Sequence, residues 1–188
     1  HPDVVQDLSD RYDAYWEASG LGYHPYPRPV IGSGKDRETW LTSDGWIIDR
    51  RVPHTWNQRH VLAAETNSGV WPVEIARAGT YAFDVRRWPV ELNHPIVASL
   101  PADENSDIYC LGAPVIVGEG KAIPVAKVRL RVGDRQMEKE VGPGDVFAQF
   151  EMDLQPGPTA VRAWLLDGEG MEWGAYYVYA RLLEDSVE

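Results

Sequence analysis

One change of hydrophobic period, near residue 28, constrains this chain more than any other feature. Up to that point apolar residues recur every three or four positions: Val4, Val5, Leu8, Tyr12, Tyr15 and Trp16 form one stripe, with Asp7, Asp10, Asp13 and Glu17 over much of the remainder. The spacing predicts an amphipathic helix over 2–18. Pro2 suits the first helical position and Asp3 complements the positive end of the helix dipole. Gly20-Leu21-Gly22 would end it, and Tyr23-His24-Pro25-Tyr26-Pro27-Arg28-Pro29 reads as an extended, proline-stiffened linker. The expected division is therefore 1–28, helix and linker, and 29–188, one further domain.

Beyond the linker the period is two. Tyr81, Phe83 and Val85 alternate with Asp84 and Arg86; Ala126, Val128, Leu130 and Val132 alternate with Lys127, Arg129 and Arg131; Val146, Ala148, Phe150, Met152 and Leu154 alternate with Gln149, Glu151 and Asp153. Each pattern is that of a strand with one buried face. Gly133-Asp134 suits a two-residue hairpin between 125–132 and 135–141. Further strands are expected at 38–43, 69–76, 159–166 and 174–183, and a long, partly acidic loop over 101–122. Many short strands without intervening helices predict an all-β fold, an antiparallel β-sandwich of jelly-roll type, preceded by the one amphipathic helix.

Composition narrows the function classes. Lys+Arg number 18 and Asp+Glu 29, a net charge of −11, which disfavours a nucleic-acid platform because phosphates require a basic stripe. No apolar run approaches the roughly 20 residues of a membrane helix, and nothing after His1 has the basic-then-apolar order of a signal peptide. Nucleic acid and membrane are thus not expected partners. The single cysteine excludes an internal disulfide framework and a cysteine zinc cage. Eight Trp and nine Tyr against three Phe favour rings with a polar tip, suited to half-wet positions such as sandwich rims and sugar-binding faces.

Catalytic signatures are missing. The histidines at 1, 24, 54, 60 and 94 form no His-x-His pair; His54 and His60 could converge only through the fold. Cys110 has no linked histidine signature and reads as a small buried hydrophobe. There is no Gly-x-Ser-x-Gly elbow, and Gly32-Ser33-Gly34-Lys35 lacks phosphate-loop spacing. Asp44, Asp49, Asp103 and Asp107 offer oxygen atoms without the ligand spacing of a calcium loop. Paired carboxylates of the glycosidase kind stay open among 29 acids. No metal or other cofactor is expected.

The candidate binding residues are Trp56, Asn57 and Gln58 in a loop, and Arg86, Arg87, Trp88 and Glu91 at a strand end. Guanidinium forks would take a sulfate or carboxylate while an indole stacks on a sugar ring. The structural alternative is that one arginine pairs with Glu74 or Glu91 and locks Trp88, while Trp56 plugs one end of the core. Alternation puts Arg87 on the Tyr81–Phe83–Val85 face, and Arg86 with Trp88 on the other. Trp56, Trp71 and Trp88 would gather at one rim, and Tyr177 and Tyr179 would share a face opposite to Tyr176.

Several segments together resemble a known family. His1-Pro2-Asp3-Val4-Val5 with Tyr12-Asp13-Ala14-Tyr15-Trp16 resembles the helix closing the catalytic domain of bacterial type I sulfatases of the arylsulfatase class. Leu41-Thr42-Ser43, Trp46, Trp56-Asn57-Gln58, the stretch from Trp71 to Tyr81, Arg86-Arg87-Trp88-Pro89, Lys121–Pro124 and Gly174–Tyr179 resemble the C-terminal accessory region of some of them. The resemblance implies a non-catalytic tail, periplasmic or extracellular, whose partner is the sulfatase catalytic domain and which would help position a sulfated glycan. Cys110 is followed by Leu-Gly-Ala-Pro, not by the Cys/Ser-x-Pro-x-Arg signature of the family, so no catalytic residue is carried over and the chain itself is not expected to be an enzyme. It would be a piece of a longer polypeptide. An independent carbohydrate-binding module is the rival expectation, and a jelly-roll hydrolase or lyase the third.

Overall fold

A computed structural model describes residues 1–20, 27–36, 38–48, 53–102, 109–110, 113–114 and 118–185. The expected helix is α1, Pro2–Ser19, closed by Gly20 at φ 67°, whose N–H reaches Glu17 O. At that angle a side chain would crowd its own carbonyl, so glycine is the residue that ends a helix this way. The stripe from Val4 to Trp16 lies in the open, and none of the residues of α1 is buried. Tyr12 and Trp16 stack on each other at 6.1 Å. Most of the linker falls outside the described residues.

The strands are β1 (Val30–Ile31), β2 (Thr39–Thr42), β3 (Trp71–Ile75), β4 (Gly79–Arg86), β5 (Tyr109–Cys110), β6 (Ala113–Pro114), β7 (Lys127–Val132), β8 (Arg135–Glu140), β9 (Ala148–Leu154), β10 (Gly157–Leu166), β11 (Glu172–Gly174) and β12 (Tyr177–Asp185); a short helix, α2, spans Gln58–Leu62. One sheet has the order β1-β3-β10-β7-β8 with β11 beside β10, the other β2-β12-β4-β9, and β5 pairs with β6. All neighbours are antiparallel except β1 and β3. The chain is thus mostly β, two sheets and one N-terminal helix.

The inner faces meet in a single core. Trp71, Val73, Ile75, Val128, Leu130, Val132, Val161, Ala163 and Leu165 come from the first sheet. Leu41, Tyr81, Phe83, Val85, Phe150, Met152, Val178 and Ala180 come from the second. Each Val, Leu, Ile, Phe or Met side chain among them contributes roughly 1.5–3 kcal/mol by leaving water. The period-two reading therefore places β4, β7 and β9 correctly, and Gly133, at φ 61°, turns the β7–β8 hairpin with Val132 opposite Arg135.

Two expectations need correction. The alternation in 126–132 starts late: Ala126 is exposed and Val125 buried, because the strand begins only at Lys127. The single strand expected at 174–183 is two, since β11 pairs with β10 in one sheet and β12 with β2 and β4 in the other. The chain crosses between sheets at Ala175-Tyr176, and Tyr176 fills the crossing, fully buried, its hydroxyl donating to Glu65 O at 2.8 Å. The acidic loop expected over 101–122 and the side chain of Cys110 lie largely outside the described residues.

Candidate functional site

The outward face of the β2-β12-β4-β9 sheet carries the densest polar and aromatic arrangement. Register places Thr42, Tyr177 and Arg86 in one cross-strand row and Trp40, Tyr179, Asp84 and Gln149 in the next. Strands with one buried face should show polar residues to water here, yet Asp84, Arg86, Tyr177 and Tyr179 are all buried. β4 lies inside its sheet: Arg181 and Gln149 bond to Asp84, Phe147 and Tyr179 pack on Arg86, and the turn at Val90–Leu92 reaches Tyr179 on the neighbouring strand.

A hydrogen-bonded chain crosses all four strands. Trp40 Nε1 donates to Glu38 Oε1 at 3.1 Å. Arg181 Nη1 bridges Glu38 Oε2 at 3.4 Å and Asp84 Oδ2 at 2.6 Å. Gln149 Nε2 donates to Asp84 Oδ1 at 2.8 Å. The Asp84 carboxylate, foremost among these contacts, holds the Arg181 guanidinium above its usual range. The Trp40 indole is pinned by Glu38 at one end and meets the edge of Tyr179 at 6.0 Å, yet 60% of the residue is exposed.

The sequence-derived residues divide around this face. Gln58 donates its amide to Tyr177 Oη at 3.0 Å. Arg86 lies 4.8 Å from the Phe147 ring centre and 5.9 Å from that of Tyr179. Its Nη1 is buried without a hydrogen-bond partner among the described residues. Glu91 sits in the Val90–Leu92 turn, whose Val90 N–H donates to Tyr179 Oη at 2.9 Å. Gln58, Arg86 and Glu91 thus gather about Tyr177 and Tyr179. Burial raises both phenols above their usual pKa.

Trp56 precedes the Asn57 cap and is 63% exposed, its ring edge-on to His60 at 5.9 Å; it does not plug the core, and Gln58, expected in the loop, is the first residue of α2. Asn57 caps α2, accepting from His60 N at 3.2 Å, so its side chain is engaged in ending the helix. His54 turns to Ser43 O and His60 to Trp56 N. No group of three His, Cys, Asp or Glu side chains placed to hold a metal occurs among the described residues.

Arg87 and Trp88 are not on this face. Arg87 is fully buried, and its guanidinium donates to Ile96 O, Ala98 O and Lys121 O while lying 4.2 Å over the Trp88 ring. Burial lowers it to about 10, so it stays charged at neutral pH. Trp88 is buried and donates Nε1–H to Pro95 O at 3.1 Å. The strand ends at Arg86, so alternation no longer governs Trp88 and the indole turns inward. One arginine does lock Trp88, but through three carbonyls and not through Glu74 or Glu91. Trp71 is buried too, leaving Trp56 alone of the three expected at a rim.

The residues that sequence reasoning missed are Trp40, Glu38, Asp84, Gln149, Phe147 and Arg181. The alternation of Trp40 with Leu41 marks an outward indole, but nothing in one strand shows which outward positions adjoin in the sheet.

No family model matches this sequence, and no curated protein matches it. Among solved structures it is similar to the Podospora anserina GH26-CBM35 β-(1,4)-mannanase at 9% identity, with a TM-score of 0.39. The likeness covers 81% of this chain and 29% of that one.

Proposed function

We propose that this chain is a non-catalytic carbohydrate-binding module that takes a saccharide on the outer face of the β2-β12-β4-β9 sheet. The observation that carries this reading is the pinned, exposed indole of Trp40 beside the Glu38–Arg181–Asp84–Gln149 chain. A sugar ring has an apolar face of C–H groups and a rim of hydroxyls. It needs a flat apolar platform next to fixed donors and acceptors. An indole held by a hydrogen bond loses little rotamer freedom on binding. Trp56 and Glu91 extend the surface at the Tyr177 end. The strand orders also support a jelly roll: β2-β12-β4-β9 faces β3-β10-β7-β8, eight antiparallel strands that close two Greek keys.

Affinity electrophoresis against neutral and sulfated polysaccharides tests the reading. Retardation on at least one polymer, abolished by Trp40→Ala, is expected; no retardation on any polymer sinks it. One observation favours a second reading, that of an accessory region packed on a sulfatase catalytic domain: the apolar stripe of α1 has no partner among the described residues. A reading frame without a Cys/Ser-x-Pro-x-Arg segment upstream of His1 would remove that second reading.

A further inference from the structure

The opposite sheet carries a cluster of arginines that neither reading uses. On the outer face of β7 and β10, Arg131 stands directly across from Arg162, and Arg129 directly across from Trp164. Arg129 is fully engaged: Nε pairs with Glu138 at 2.7 Å and Nη1 with Glu172 at 2.7 Å. That contact holds Glu138 below the usual carboxylate range. One row along, the pattern breaks. Arg131 donates Nε to Gly133 O at 2.9 Å, and neither it nor Arg162 has a carboxylate partner among the described residues. Like charges directly opposite on an antiparallel pair are destabilising. A chain with 29 acids against 18 bases has ample means to neutralise them. The two arginines also line one depression of about 230 Å³, together with Val70, Gly133 and Ala160.

We propose that Arg131 and Arg162 form a binding site for one oxyanion, a sulfate, phosphate or carboxylate group, seated in this depression. Two guanidiniums supply several charge-assisted donors in fixed planes, the arrangement that recognises such groups. The depression, about 230 Å³, has room for several waters of roughly 30 Å³ each, which suits a single anionic group together with its hydration. The overall charge of −11 repels an extended polyanion at long range, so the ligand is a small anion or one isolated acidic substituent. The site stands on the far sheet from Trp40, and its occupancy is separable from saccharide binding there.

Titration of the ¹⁵N-labelled protein with sodium sulfate, against sodium chloride at matched ionic strength, tests this. Saturable shifts at the amides of Gly133, Arg131 and Arg162 are expected with sulfate and not with chloride. Arg131→Gln and Arg162→Gln should each weaken binding about tenfold, whereas Arg129→Gln combined with Glu138→Gln, which removes an ion pair with no change of net charge, should change it less than twofold. Parallel titrations with inorganic phosphate and with glucuronate separate a free inorganic anion from a sugar-borne carboxylate; saturation by any of the three supports the site. Linear shifts equal to those of chloride for all three probes, or saturable shifts that persist in the double variant, overturn it.

Discussion

The Gln58 amide donates to the Tyr177 hydroxyl at 3.0 Å, across 119 positions of sequence. This contact ties the first turn of α2, and with it the exposed Trp56, to the outward face of β12. Tyr177→Phe keeps the ring and removes the tie. Because Gln58 is exposed, water replaces its lost partner, and the expected cost is at the low end of the usual 0.5–1.5 kcal/mol for one hydrogen bond. Hydrogen exchange should nevertheless quicken through 56–62, while the strands keep their protection. Unchanged exchange in that loop would show that the tie holds nothing.

Arg87 is a second fastening of a different kind. Its buried guanidinium gathers carbonyls from 96, 98 and 121, and Gly120 approaches Trp88 so closely that an added Cβ would lie 2.7 Å from Trp88 Cη2. Arg87→Met fills much of the volume but leaves three carbonyls without donors. Urea unfolding should show a loss of about 2–4 kcal/mol. Gly120→Ala should also destabilise, through the indole it would displace. Native-like midpoints for both variants would contradict the fastening.

These two fastenings also mark where the sequence stops being legible. Alternation is a property of one strand, so it placed Tyr81, Phe83 and Val85 inside and found β7, β9 and their turns. What covers a strand's other face depends on its neighbours in the sheet. Asp84 and Arg86 therefore read as wet, although Arg181 and Gln149 bond to Asp84 and Phe147 and Tyr179 pack on Arg86. Arg87, Trp88 and Trp56 all carry binding chemistry, but shared chemistry does not show that they share a surface. Where β4 ends decided the matter, and strand ends are poorly marked in sequence. Trp40, Trp56, Trp71 and Trp88 are one residue type with opposite fates, set by long-range pairing.

Alkaline pH gives a signed test of the buried phenols. Tyr176, Tyr177 and Tyr179 are all raised, chiefly by burial. Above the unfolded value near 10, the unfolded chain binds fewer protons at these sites, so stability falls as pH rises through the folded values. Below about 10 their contribution is complete. Arg87, lowered to about 10, acts in the opposite sense over the same window, but it is one group against three. Phenolate absorbance should rise in two phases, the later one coinciding with loss of circular dichroism. A single ionisation phase with native dichroism throughout would count against the burial assignment.

Trp40→Ala separates binding from folding. The indole is mostly exposed, so its truncation should cost less than about 1 kcal/mol, even with the Glu38 hydrogen bond lost. Saccharide retention should fall at least tenfold, about 1.4 kcal/mol, if the ring is the stacking platform. Trp71→Ala is the contrast, because Trp71 is buried and donates to Thr42 O at 2.7 Å; it should lose about 3–5 kcal/mol. Equal stability losses in the two variants would place Trp40 in the core's service and not the ligand's.

The Arg131–Arg162 pair predicts a gain of stability on loss of a residue. Arg162→Glu replaces a like-charge pair by an opposite-charge pair directly across the ladder, a change of about 0.2–1 kcal/mol in favour of the fold. For a chain of this size that is up to roughly 2–4 °C in Tm, and it should shrink with added salt because both residues are exposed. The same variant should no longer take up sulfate. Stability gained while the anion is lost is the signature of a charge pair retained for a ligand, since repulsion without a ligand has nothing to offset it. A variant less stable than the parent at low salt would mean that Arg162 already has a favourable partner, and the repulsion would be excluded.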